Sequence, residues 1–255
     1  MEVVGFIPAA GMGRRMKPFL LIKELLPIRF VMGKEKVSLL FENSFQTFEY
    51  SNISSIICTI SKEKDDLRNY MLKYVSQNDI LQLAFVYQDF HAGEYGLPYA
   101  IKAASRFLKG KTVVMRFPDT VVTPVDCIND ILELHRRKKA DVTLGVFPTN
   151  NPERLAPVII DNDGRVLKVE DKPEKPSAQN TWNCVVWEES FMKEVLNYID
   201  DMKNVHKEEL LLSDIIMRCV LKNMKIYAKM ISQGECYDYS TINDFLNMWN
   251  EGKRD

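Results

Sequence analysis

Apolar residues recur at two spacings along the first half of the chain, and the spacing switches at regular intervals. Residues 3–7 form a short continuous apolar run, which suits a buried strand. Val37, Leu40, Phe41, Phe45 and Phe48 then follow helical spacing, and residues 53–60 read as a second strand. Leu67, Tyr70, Met71, Tyr74 and Val75 mark another amphipathic helix. The pattern continues with a strand over 83–87, a helix over 97–108 and a β-branched, apolar strand over 112–117. A helix over 128–139 and a strand over 142–147 close this part. Such alternation predicts a mostly parallel sheet covered by helices.

The rhythm then changes. Residues 157–161 and 166–170 flank Asn162-Asp163-Gly164 and predict a β-hairpin. A strand (184–187), two helices (190–199 and 209–221) and a further strand (226–231) follow. The last helix begins near Thr241, a suitable N-cap. The whole reads as one α/β domain whose second half lays a smaller antiparallel lobe over the carboxyl edge of the sheet. Open α/β sheets bind their ligands at that edge.

Composition narrows the function. At 255 residues and 46% hydrophobic, the chain has ample material for a core. A net charge of −1 gives no general attraction to nucleic acid or to an anionic membrane, so neither is an expected partner. No apolar run approaches the ~20 residues of a membrane span, and no leader pattern precedes the first strand. Cys58, Cys127, Cys184, Cys219 and Cys236 are scattered and odd in number, which argues for reduced thiols and a cytoplasmic setting. The three histidines are far apart, against a histidine metal cluster.

Basic character is local. After the first strand comes Pro8-Ala9-Ala10-Gly11-Met12-Gly13-Arg14-Arg15-Met16-Lys17-Pro18, with Lys23-Glu24-Leu25-Leu26-Pro27-Ile28 close behind. Two glycines open the loop to close approach by a polyanion, and Arg14, Arg15, Lys17 and Lys23 surround it with fixed positive charge. Met16 stands where a dinucleotide fingerprint needs its third glycine, and the Gly-Lys-Ser/Thr ending of a Walker loop is missing.

This array closely resembles the N-terminal signature of the sugar nucleotidyltransferases, in particular the uridylyl- and thymidylyltransferases for glucose 1-phosphate. The resemblance runs in consistent order over residues 3–250. It implies a Rossmann-like fold of the nucleotide-diphospho-sugar transferase type. The nucleotide-binding part would be about residues 1–150, and the sugar-phosphate part about 151–240. It also implies Mg²⁺ as cofactor, and a nucleoside triphosphate and a sugar 1-phosphate as substrates. Ala10, Gly11, Met12, Gly13 and Arg14 would cradle the triphosphate, with Arg15 and Lys23 as the catalytic cations.

Asp119, in Phe117-Pro118-Asp119-Thr120 at the end of a predicted central strand, is an oxygen donor of the kind Mg²⁺ takes. The resemblance makes it a metal ligand, with Asp238 of Tyr237-Asp238-Tyr239-Ser240-Thr241 as the second. Gln88 and Gly96 resemble the base-reading segment; a glutamine amide can pair with the N3–H and a ring carbonyl of uracil or thymine. In Glu170-Asp171-Lys172-Pro173, Lys172 would contact the sugar phosphate beside Asp171, and Glu209 is a candidate for sugar hydroxyls.

Three positions depart from the family pattern. Arg14 replaces a usual serine or threonine, while Ala156 and Cys184 stand where relatives have glycines near the sugar. Larger residues at both sugar-side positions predict an unusual sugar or a reshaped pocket. The expected activity is transfer from UTP or dTTP to a sugar 1-phosphate. The alternatives are a nucleotide-binding regulatory homologue that no longer transfers, and a cytidylyltransferase with another phosphate acceptor. No C-terminal repeat domain is expected after the last helix, and a homo-oligomer is left open.

Overall fold

The computed structural model describes residues 2–11, 13, 21–31, 34–89, 96–203, 209–239 and 241–251. Among them a seven-stranded sheet forms the centre. Its strands, in spatial order, are β12 (Ile226–Met230), β8 (Val142–Pro148), β11 (Asn180–Trp187), β6 (Thr112–Met115), β1 (Val3–Pro8), β4 (Ser55–Ile60) and β5 (Gln82–Tyr87). Parallel pairing joins β6, β1, β4 and β5, and also β8 and β12. Only β11 runs against its neighbours. Its first residues therefore lie at the edge where the parallel strands end.

Both faces of the sheet are buried at its inner strands, which is why those strands read as continuous apolar runs rather than alternating ones. One face packs α3 (Leu97–Leu108), α5 (Glu189–Met202) and α6 (Leu212–Leu221) on Phe6, Met115, Val185 and Trp187. The other packs α1 (Glu42–Tyr50), α2 (Asp65–Ser76) and α4 (Cys127–Lys138) on Ile7, Cys58, Val114 and Val186. No helix among the described residues is long and apolar enough to cross a membrane.

Three small antiparallel pairs decorate this frame. The expected hairpin is present as β9 (Val158–Ile160) and β10 (Val166–Val169). Two others depart from the sequence reading. Residues 34–39 are a strand, β3, paired with β2 (Pro27–Val31), and the helix starts only at Glu42. Val37 and Leu40 thus mimic a helical phase that belongs to α1 alone. The ribbon of β7 (Thr120–Thr123) and β13 (Glu235–Asp238) is the second departure. It returns a late segment of the chain to the end of β6. The last helix, α7 (Ile242–Glu251), is capped as expected. Thr241 Oγ1 accepts from Asp244 N (3.3 Å), and Asp244 Oδ2 accepts from Thr241 N (2.9 Å).

Candidate active site

A cavity of about 770 Å³ opens at the carboxyl edge of the sheet. One wall begins where β1 ends. Pro8, Ala10, Gly11 and Gly13 line it, and Ala9 N donates to Thr59 O (2.8 Å) to fix the strand exit. Gly13 has φ +57, a left-handed backbone that a side chain would disfavour. Met12, Arg14 and Arg15 lie outside the described residues, as do Met16, Lys17 and Ser240. Gln88 follows β5, is buried, and faces the cavity; its backbone N–H donates to Ile60 O (2.9 Å). Gly96 precedes α3 with φ +108, and a Cβ there would run into the backbone of Leu210. With Leu97 and Ala100 it turns the amino end of α3 toward the cavity, a place that favours anions.

The centre is held from below by α1. Ser44 Oγ donates to Phe117 O (3.0 Å), and the Asn43 side chain brackets Val122, accepting from its N–H (2.9 Å) and donating to its carbonyl (3.2 Å). These bonds fix the turn that carries Asp119. The β7–β13 register places Asp238 opposite Thr120, and Tyr239 N donates to Asp119 O (3.4 Å). Both acids line the cavity.

Lys23, on a short 3₁₀ turn (Lys23–Leu25), donates to Asp119 Oδ2. The two side chains are only 19% and 17% exposed. Burial pushes the Asp119 carboxyl up, but Lys23 outweighs it and holds the group below the usual carboxylate range. Burial likewise pulls the Lys23 ammonium down, and Asp119, Glu24 and Asp238 together raise it above its ordinary value. The pair is thus ionised on both sides. Beside it Glu24 lines the cavity and forms a buried ion pair with Lys64 (2.6 Å).

The opposite wall comes from residues 154–156, 171–172, 181–183 and 209. Lys172 adopts φ +43, a left-handed conformation costing a lysine about 1 kcal/mol. Its N–H donates to Leu155 O (2.8 Å), which anchors it. Asp171 and Glu209 stand at the same rim. Ala156 lines the cavity, but its N–H donates to Thr181 Oγ1 (3.3 Å) and its carbonyl accepts from Trp182 N (3.3 Å). Phe117 and Trp182 pack together, with ring centroids 5.8 Å apart, as an apolar panel.

Cys184 is a correction. It does not line the cavity; it is fully buried against α4 with Cys127 and Ile131. The pairing of β11 with β8 shifts between Trp182 and Cys184. Cys184 therefore keeps the phase of Val186, while Trp182 joins the face of Val185. Thr181, Trp182 and Asn183 line the cavity instead.

Glu24, Phe117, Thr120, Arg154 and Asn183 went unread in the sequence as wall residues. The signal for Glu24 lay in the Lys23-Glu24 doublet. Arg154 is tied to the last helix through Asp244 Oδ1 (3.0 Å). The geometry brings a glycine loop, a helix amino end, two neighbouring carboxylates and the cations Lys23, Arg154 and Lys172 around one space. Such a site can hold two anionic ligands end to end.

Comparison with known proteins gives the same direction. Residues 4–253 match the family model described as "Nucleotidyl transferase". Bifunctional protein GlmU of Clostridium novyi is 27% identical over 236 residues, covering 90% of this chain and 47% of that protein. A glucose-1-phosphate adenylyltransferase of Thermotoga sp. (strain RQ2) is 28% identical over 120 residues, covering 46% of this chain and 28% of that one. The chain spans about half the length, or less, of these curated relatives. Among solved structures, apo-UDP-glucose pyrophosphorylase superposes with a TM-score of 0.78 at 15% identity, covering 100% of this chain and 99% of that chain.

Proposed function

The chain belongs to the nucleotidyl transferase family, and we propose that it transfers a nucleoside monophosphate from UTP or dTTP to a sugar 1-phosphate, releasing pyrophosphate. The observation that supports this best is the ionised Lys23–Asp119 pair, with Asp238 beside it, at the junction of the two cavity walls. A nucleotide lying along residues 10–13 and Gln88 would present its α-phosphate there. A sugar phosphate held by Lys172 would reach the same point from the other side.

In the proposed step an oxygen of the sugar phosphate attacks the α-phosphorus. The bond from α-phosphorus to the bridging oxygen breaks, and pyrophosphate carries away the electron pair. The nucleophile is already an anion, so no side chain has to remove a proton. Catalysis then rests on in-line positioning and on cancelling phosphate repulsion. Lys23 supplies fixed positive charge at the centre, Lys172 holds the acceptor phosphate, and Arg15 is assigned to the departing pyrophosphate.

Asp119 and Asp238 would hold Mg²⁺. They fit it, because two carboxylates with room for phosphate oxygens and water match how that ion is bound. When bound it would neutralise and orient the α-phosphate. Gln88 is assigned to the base and supports uracil or thymine over cytosine. Glu209 and Asp171 face the sugar from the rim.

The test is pyrophosphate release over a matrix of UTP, dTTP, CTP, GTP and ATP against glucose, mannose and N-acetylglucosamine 1-phosphates, with Mg²⁺ present and absent. Release with UTP or dTTP, falling roughly 10²-fold or more in Lys23→Ala, is expected. Nucleotide binding without release from any pair would overturn the reading in favour of a regulatory role. A preference for CTP would overturn the assignment of Gln88.

A further inference from the structure

Arg116, immediately after β6, is among the largest fully buried side chains of the chain. Its guanidinium donates to Thr47 Oγ1 (3.3 Å), Asn43 Oδ1 (3.0 Å) and Asn183 Oδ1. All three partners are neutral. A guanidinium has no acceptor, so it dictates how the Asn183 amide must lie: Oδ1 turns inward and Nδ2 becomes the outer edge. Thr120 Oγ1, 3.2 Å from the same oxygen, reinforces that choice.

Asn183 is only 4% exposed, yet it lines the cavity. Among the described residues no oxygen accepts from its Nδ2. The Cys236 thiol lies against the amide instead, and sulfur is a weak acceptor that a ligand oxygen would displace. The donor of this largely buried side chain therefore stands at the cavity wall with, among the described residues, only a thiol as its partner.

We propose that Asn183 Nδ2 donates to a hydroxyl oxygen of the acceptor's sugar, and that Arg116 is the positioning residue that holds it there. This rests on the acceptor being a sugar phosphate. The sheet order separates β11 from β5 by four strand spacings, about 19 Å at ~4.8 Å each, so Asn183 is remote from the base end at Gln88. Its neighbour Trp182 packs on Phe117 in the apolar panel that would face a sugar ring. Phosphate oxygens have Lys23 and Lys172 available, whereas a single neutral donor suits a hydroxyl.

Asn183→Asp is the decisive variant. It keeps an oxygen for Arg116 and removes the donor, and the charge of the new carboxylate is offset by the guanidinium it faces. Calorimetric binding of glucose 1-phosphate and mannose 1-phosphate, with steady-state kinetics, would be compared with the wild-type protein. The acceptor Kd and KM should rise about tenfold or more for the preferred sugar phosphate, the nucleotide KM should stay within twofold, and the melting temperature should hold or rise. Arg116→Met should raise the acceptor KM in the same way, and Arg116→Lys should recover part of the loss. An acceptor Kd and KM within twofold of wild type in a folded Asn183→Asp protein overturns the assignment alone. A wild-type protein that binds nucleotide but releases pyrophosphate with none of the sugar 1-phosphates of the release matrix overturns the transferase reading together with it.

Discussion

Replacing Lys23 with methionine removes the cation from a largely buried pair and leaves Asp119 facing Glu24 and Asp238 without it. Both members of the pair are about one-fifth exposed. Stranding one charge of a fully buried pair costs about 3–5 kcal/mol, so the lower end, about 3 kcal/mol at pH 7, applies here. The sign of the pH dependence follows from the direction of the shift. In the wild-type protein Asp119 sits below the ordinary carboxylate range, despite burial, because of Lys23. Its contribution is present above the unfolded carboxylate pKa and is lost as pH falls through the folded value. Without Lys23, burial dominates and the folded pKa rises. The variant is then least penalised in acid, where Asp119 is protonated, and most penalised near neutrality. Urea denaturation of Lys23→Met and of Lys23→Met with Asp119→Asn, at pH 7 and near pH 4, measures this. The single variant should lose about 3 kcal/mol at pH 7 and much less near pH 4, while the double variant recovers most of the loss. A loss under about 1 kcal/mol at pH 7, or an equal loss at both pH values, would refute the reasoning.

Further outcomes follow from the cavity walls and from the ion pair beside them. Gly96→Ala combines φ +108 with a clash against the Leu210 backbone, so it should cost about 3 kcal/mol or more in thermal unfolding and raise the KM for nucleotide. Gly11→Ala, whose Cβ would meet nothing within 4 Å among the described residues, should cost under about 1 kcal/mol. Lys64→Met should destabilise by about 3–5 kcal/mol, because it strands Glu24, whose Oε2 already has no hydrogen-bond partner among the described residues. Adding Glu24→Gln should recover most of that in the same denaturation assay.

The parallel frame was legible because strands buried on both faces and the helices covering them leave strong, local apolar signatures. Leu97–Leu108 begins and ends where its spacing says it should. The β2–β3 hairpin was not legible, since Val37 and Leu40 fall in phase with the following helix. Pairings between distant segments leave no local mark at all. Asp119 and Asp238 could each be picked out by their motifs, but their adjacency depends on the β7–β13 register. Cys184 was placed beside the sugar by its likeness to a family glycine, but a register shift in mid-strand, which leaves no mark in the sequence, turns it to the α4 face. The same shift hid Asn183. Arg116 drew no notice within the apolar run of residues 112–117, because its partners Thr47, Asn43 and Asn183 come from distant segments.

The β7–β13 ribbon has a consequence for how activity can be lost. β13 pairs with β7 and not with the seven-stranded sheet, so its release disturbs none of the sheet's ladder bonds. A partial opening that frees β13 would carry Asp238 and Cys236 away while the remaining frame stays folded. Local openings of that kind draw on a small part of global stability. Inactivation by mild denaturant or warming should accordingly precede loss of secondary structure, with fast amide exchange in residues 235–238 as its marker. The molecule would then have two melting events, and the first belongs to the site.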